Sequence, residues 1–97
     1  MEYELIDNKE PKQYELLVEG PKPRIEYILA KDNIYLTHTE VPKALEGQGI
    51  ASKMVLMALK DIQSRNLTLI PMCPFVAMYI KRHPEWRELV LKGIHIS

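Results

Sequence analysis

The stretch Glu46-Gly47-Gln48-Gly49-Ile50-Ala51-Ser52-Lys53-Met54, with the apolar series that follows it to Arg65 and the run Leu67-Thr68-Leu69-Ile70-Pro71-Met72, decides how this chain is read. Two glycines one residue apart supply a backbone that turns freely and lets another group come close. From Ile50 to about Arg65 the apolar residues Ile50, Ala51, Met54, Val55, Met57, Ala58, Leu59 and Ile62 recur at spacings of three and four, while Ser52, Lys53, Lys60 and Gln63 stay polar. That period predicts an amphipathic helix. Leu67–Met72 is short and apolar, as a buried strand is, and a helix between two strands permits their parallel pairing.

Upstream, the runs Tyr3–Ile6, Tyr14–Val18 and Arg24–Leu29 are separated by the turn-formers Asp7-Asn8, Pro11, Gly20-Pro21 and Pro23. They predict antiparallel strands with short connections. After a turn at Lys31-Asp32-Asn33, Ile34–Val41 carries the branched and aromatic residues that suit a pleated surface and predicts a fourth strand, which Pro42 ends. Downstream, Pro74 suits a first helical position, and Phe75, Met78 and Tyr79 follow at helical spacing, so Pro74–Arg82 is a second helix stopped by His83-Pro84. The tail Glu85–Ser97, with Trp86, Leu89, Val90, Leu91, Ile94 and Ile96, is too apolar to stay in water and is expected to dock. Met54, Met57 and Met78 are expected to fill core gaps. The fold class is α/β with a mixed sheet: an antiparallel meander, then βαβα, in one domain over residues 1–97.

Composition removes several classes of function. Thirteen basic and thirteen acidic residues give no bulk positive field, which argues against nucleic acid as a partner. The uncharged stretch from Asn66 to Ile80 is interrupted by Pro71 and Pro74 and is shorter than the ~20 residues of a membrane span, so no membrane role is expected. The start, Met1-Glu2-Tyr3-Glu4, lacks the basic and apolar pattern of a secretory signal, and the single Cys73 cannot form an internal disulfide, so a cytoplasmic location is expected. Cys73, His38, His83 and His95 show no paired spacing for a metal, and none is expected.

A loop of small residues before a long helix leaves several backbone N–H groups unpaired and aimed at whatever lies above the helix end, an arrangement suited to phosphate. The same glycines also fit a simple turn. Neither Gly-Lys-Ser/Thr nor a third glycine in the dinucleotide pattern is present, so the phosphate belongs to another ligand.

The segment Val41-Pro42 with Glu46-Gly47-Gln48-Gly49-Ile50-Ala51 resembles the acetyl-CoA pyrophosphate motif of the GNAT acetyltransferases, Arg/Gln-x-x-Gly-x-Gly/Ala, with Gly49 and Ala51 at its last two fixed positions. Glu46 stands where Arg or Gln is usual, so backbone amides must supply most of the binding. With Thr37-His38-Thr39-Glu40-Val41-Pro42, Ile70-Pro71-Met72-Cys73-Pro74-Phe75-Val76 and His83-Pro84-Glu85-Trp86, nearly the whole chain resembles the minimal, roughly hundred-residue GNAT subfamily. The resemblance implies that Ile34–Val41 and Leu67–Met72 splay apart to admit the pantetheine arm of acetyl-CoA. It implies cofactor contacts from Val41, Gly47, Gln48, Gly49, Ile50, Ala51, Ser52 and Cys73. The expected activity is transfer of an acetyl group to an amine, on a small molecule or a protein lysine, by a monomer or weak homodimer. An acyl-CoA-binding module without efficient catalysis is the alternative.

Such a transfer needs a neutral amine, donors for the developing oxyanion and a proton for the departing thiolate. His38 and Glu40, two apart on a strand, share a face and form a candidate base site; a strand histidine satisfied by its neighbour and a solvated carboxylate are the plainer alternative. Cys73 precedes Pro74 at the positive end of a helix, where a thiolate is stabilised. The resemblance places it beside the CoA sulfur, either as a nucleophile that forms an acetyl-cysteine or as a lining of the thioester channel; a small buried hydrophobe is the structural alternative.

Overall fold

The computed structural model describes residues 3–94. Five strands, β1 (Leu5–Asn8), β2 (Gln13–Leu16), β3 (Arg24–Ala30), β4 (Asn33–Glu40) and β5 (Thr68–Pro71), form one sheet in sequence order. The first four are antiparallel, and β5 returns parallel to β4 through helix α1 (Ile50–Ser64). Helix α2 (Pro74–Arg82) follows, and Pro84–Leu89 forms a 3-10 segment.

One face of the sheet carries the core. Tyr14, Leu16, Ile25, Tyr27, Ile34, Leu36 and Leu69 meet Ile50, Met54, Val55, Ala58, Leu59 and Ile62 of α1 and Val76, Tyr79 and Ile80 of α2. The predicted period of α1 holds, because its buried residues lie three and four apart. In α2 the inward face is turned from the expected one: Val76, Tyr79 and Ile80 are buried, while Phe75 and Met78 are exposed. Met78, expected in the core, is 50% exposed, whereas Met54 is fully buried and Met57 packs against the core from its edge.

The first strand begins and ends later than expected, since Asp7 and Asn8 belong to it rather than to a turn. Both polar side chains find partners there. Asp7 accepts hydrogen bonds from Tyr27 Oη at 2.5 Å and from Arg65 at 3.0 Å, and Asn8 donates to Glu15 at 3.1 Å. Arg65 also reaches Asp61, 3.2 Å away, and Asp61 accepts a 2.7 Å hydrogen bond from the buried Tyr14 hydroxyl. The far end of α1 is thereby fastened to β1, β2 and β3. Burial, reinforced by the Asp61 and Asp7 partners, pushes the Tyr14 and Tyr27 phenols well above the ordinary tyrosine range.

The tail docks as expected through Trp86, Leu89 and Val90, which pack against the core. Val90 pairs in parallel with Leu69, and the Leu91 N–H donates to the Leu69 carbonyl at 2.9 Å. Leu91 and Ile94 remain exposed, and His95, Ile96 and Ser97 lie outside the described residues.

Candidate functional site

An irregularity in β4 shapes the site. Leu36 opposes Tyr27 and His38 opposes Glu26, so Thr37 is an extra residue with no partner of its own in β3. Its hydroxyl donates to the Glu26 carbonyl at 3.2 Å. Side chains alternate along a strand, and a single bulged residue reverses the alternation beyond it. Thr39 therefore pairs with the fully buried Ile25 on the helix-covered face, and His38 and Glu40 emerge on the other.

The structure thus brings two of the three predicted catalytic residues together and sets the third apart. His38 Nε2 lies 3.0 Å from Glu40 Oε1, with both side chains about half exposed at 52% and 50%. Hydrogen bonding from His38 holds the Glu40 carboxyl below the usual carboxylate range. Cys73, 4% exposed, ends the loop from β5 and caps the start of α2; its sulfur lies 3.2 Å from the Thr39 hydroxyl. Thr39 was not singled out in the sequence, because a bulge one turn of the pleat earlier is what directs it inward.

Strands β4 and β5 part company at this point. Their last pair is Leu36 with Pro71, and beyond it the Met72 and Cys73 amides both donate to the Leu36 carbonyl, at 3.0 and 2.8 Å. Strand β4 continues through Thr37–Glu40, paired there only with β3.

A 3-10 turn at Lys43–Leu45 leads to the glycine loop. Gly47 and Gly49 have φ of 82° and 71°, left-handed values that a side chain disfavours, and nothing lies within 4 Å of where their Cβ atoms would stand. Gly49 is the N-cap of α1 and brings no side chain to cap it, so the amides of the first turn face outward without intrahelical partners. A cavity of about 240 Å³ opens here, walled by Val41, Leu45, Glu46, Gly47, Gly49, Ile50, Ala51, Ser52 and Phe75. Every predicted cofactor-binding residue except Gln48 and Cys73 is among them. The exposed Phe75 and the partly buried Leu45 complete the apolar wall; neither was singled out as a ligand contact from the sequence.

A larger groove of about 570 Å³ lies on the opposite face of the sheet, lined by Gln13, Glu15, Gly20, Pro21, Lys22, Arg24, Glu40 and Pro42. Glu40 is its link to the His38 pair.

A mixed sheet whose fourth and fifth strands diverge beside a glycine-capped helix defines the GNAT class of fold. The family model described as GCN5-related N-acetyl-transferase matches residues 13–89, and the chain belongs to that family. It is similar to Protein NATD1 of Danio rerio, 27% identical over 90 residues covering 87% of this chain and 81% of that protein. It is likewise similar to Protein NATD1 of Mus musculus, 30% identical over 79% of this chain and 73% of that one. Against Protein NATD1 of Xenopus tropicalis it is 34% identical over 59 residues, and the match spans about half of that protein, 53%. The solution structure of a GCN5-like protein from Staphylococcus aureus superposes with a TM-score of 0.70 over 95% of this chain and 91% of that one, at 20% identity, which supports the fold. Among the described residues no helix is long and apolar enough to cross a membrane.

Proposed function

We propose that the chain is an acetyl-CoA-dependent N-acetyltransferase that acts on an amine of a small molecule or of a protein lysine. The observation that carries this reading is the uncapped start of α1, open to a cavity between two left-handed glycines and close to the divergence of β4 and β5. Those features suit a pyrophosphate with a pantetheine arm. The amides of Ile50, Ala51 and Ser52 would hold the phosphate oxygens, aided by the positive end of the fifteen-residue helix. Glu46 brings a carboxylate to the cavity wall, so the amides must also offset its charge. Val41, Leu45 and Phe75 offer apolar surface to the rest of the ligand.

Bound acetyl-CoA supplies an activated thioester carbonyl. On the other face of β4, His38 would take the proton of the attacking amine, with Glu40 orienting its ring through the 3.0 Å contact. The 570 Å³ groove that Glu40 shares gives the acceptor a path to His38 that does not cross the cofactor cavity. Two reactants approaching from opposite faces and meeting where the strands part is the geometry that proximity catalysis requires. The test is release of CoA thiol from acetyl-CoA in the presence of a panel of primary amines, from polyamines to lysine peptides. Amine-dependent release supports the transferase; acetyl-CoA binding with no release by any amine makes the chain an acyl-CoA-binding module.

A further inference from the structure

Cys73 has none of the company that a nucleophilic thiol keeps. An attacking sulfur needs a base within hydrogen-bond reach to take its proton. Among the described residues the side-chain hydrogen-bonding partner of the Cys73 sulfur is the Thr39 hydroxyl at 3.2 Å, and His38, the base of the proposed reaction, leaves β4 on the opposite face. A hydroxyl cannot serve as a base, but it can accept the S–H of a thiol and, after rotating, donate to the same sulfur once it is charged. The sulfur also sits at the N-cap of α2, a nine-residue helix whose positive end favours an anion.

We infer that Cys73 is the proton donor to the departing CoA sulfur and that Thr39 is its positioning residue. This rests on the acetyltransferase reading above. The amine nitrogen bonds to the acetyl carbon and its proton passes to His38. As the bond between that carbon and the CoA sulfur breaks, its electron pair stays on sulfur, which takes the proton of the Cys73 thiol. Proton transfer between a thiol and a thiolate joins two groups of like ordinary acidity, so the step has no large barrier of its own. Cys73 is left as a thiolate, held by the Thr39 hydroxyl and the start of α2, and regains a proton from water while His38 releases one. No acetyl-cysteine forms. Thr39 reaches the sulfur because the extra residue Thr37 reverses the strand's alternation, which ties the bulge to the chemistry.

The experiment compares wild type, Cys73→Ala, Thr39→Val and Thr39→Ser in steady-state kinetics, with calorimetric titration of acetyl-CoA and intact mass after incubation with acetyl-CoA alone. A donor to the leaving group predicts a loss of about 100-fold in kcat for Cys73→Ala. Thr39→Val should lose about tenfold, the factor carried by one hydrogen bond to a charged atom, with KM for acetyl-CoA unchanged. Thr39→Ser, which keeps the hydroxyl, should recover most of that loss, and wild type should gain no acetyl mass. An acetyl group on Cys73, or equal losses in Thr39→Val and Thr39→Ser, overturns the assignment while leaving acetyl-CoA binding and turnover intact. Absence of acetyl-CoA binding by the folded wild type overturns the transferase reading and this assignment with it.

Discussion

His38 and Thr39 are neighbours in sequence whose side chains leave β4 on opposite faces of the sheet, one toward solvent beside Glu40 and the other toward the buried sulfur of Cys73. The extra residue at Thr37 places this boundary where the parallel partner β5 stops. A single strand can thus serve two reactants.

If His38 is the base, His38→Gln lowers kcat with a responsive amine by about 100-fold while acetyl-CoA affinity, measured by calorimetry, stays as in wild type. Glu40→Gln has a smaller effect, about tenfold, because it weakens only the orientation of the ring. The Glu40 carboxyl is held below the usual carboxylate range by its hydrogen bond with His38, so the carboxylate that orients the ring is present at neutral pH and is lost as pH falls through that lowered value. Equal activity of wild type and His38→Gln would remove His38 from the reaction.

The fastening of α1 predicts an order of stabilities. Asp61→Ala leaves the fully buried Tyr14 hydroxyl without its 2.7 Å acceptor, a loss of about 1–3 kcal/mol. Tyr14→Phe removes both the hydroxyl and its need for a partner, and leaves Asp61 paired with Arg65, so it costs about 1 kcal/mol. Urea unfolding of the two variants checks the order, and a larger cost for Tyr14→Phe contradicts it.

Alkaline pH acts on the same cluster. The Tyr14 and Tyr27 phenols are raised above their ordinary value of about 10, so the folded chain holds these protons more tightly than the unfolded one. The stability they contribute is complete below pH ~10 and declines as pH rises above it. Urea midpoints measured from neutral pH upward should fall in that window for wild type and stay flatter in the Tyr14→Phe, Tyr27→Phe double variant. A wild-type midpoint that does not move there would show that the two phenols are free to ionise in the folded protein.

Much of the framework was legible because it rests on period and punctuation. The spacing of Ile50, Met54, Ala58 and Ile62 marks α1, and Gly47 and Gly49 stand at the two left-handed positions that a residue with a Cβ resists. Asp7 and Asn8 look like turn residues until Tyr27, Arg65 and Glu15, distant in sequence, supply their partners. Phe75 and Val76 are both apolar, and only the angle at which α2 meets β4 and β5 settles which is buried. The Thr39–Cys73 pair was invisible because strict alternation from Leu36 would have put His38 inward, and a bulge has no signature in residue type at Thr37.

The central claim is that the glycine loop binds acetyl-CoA, and calorimetric titration of wild type and Gly49→Glu tests it most directly. Gly49→Glu places a charged side chain at the left-handed cap of α1, and circular dichroism of the variant establishes that it is folded. We expect saturable binding by wild type and its loss in the variant. Absence of binding by wild type, or equal binding by a folded Gly49→Glu, would contradict the account.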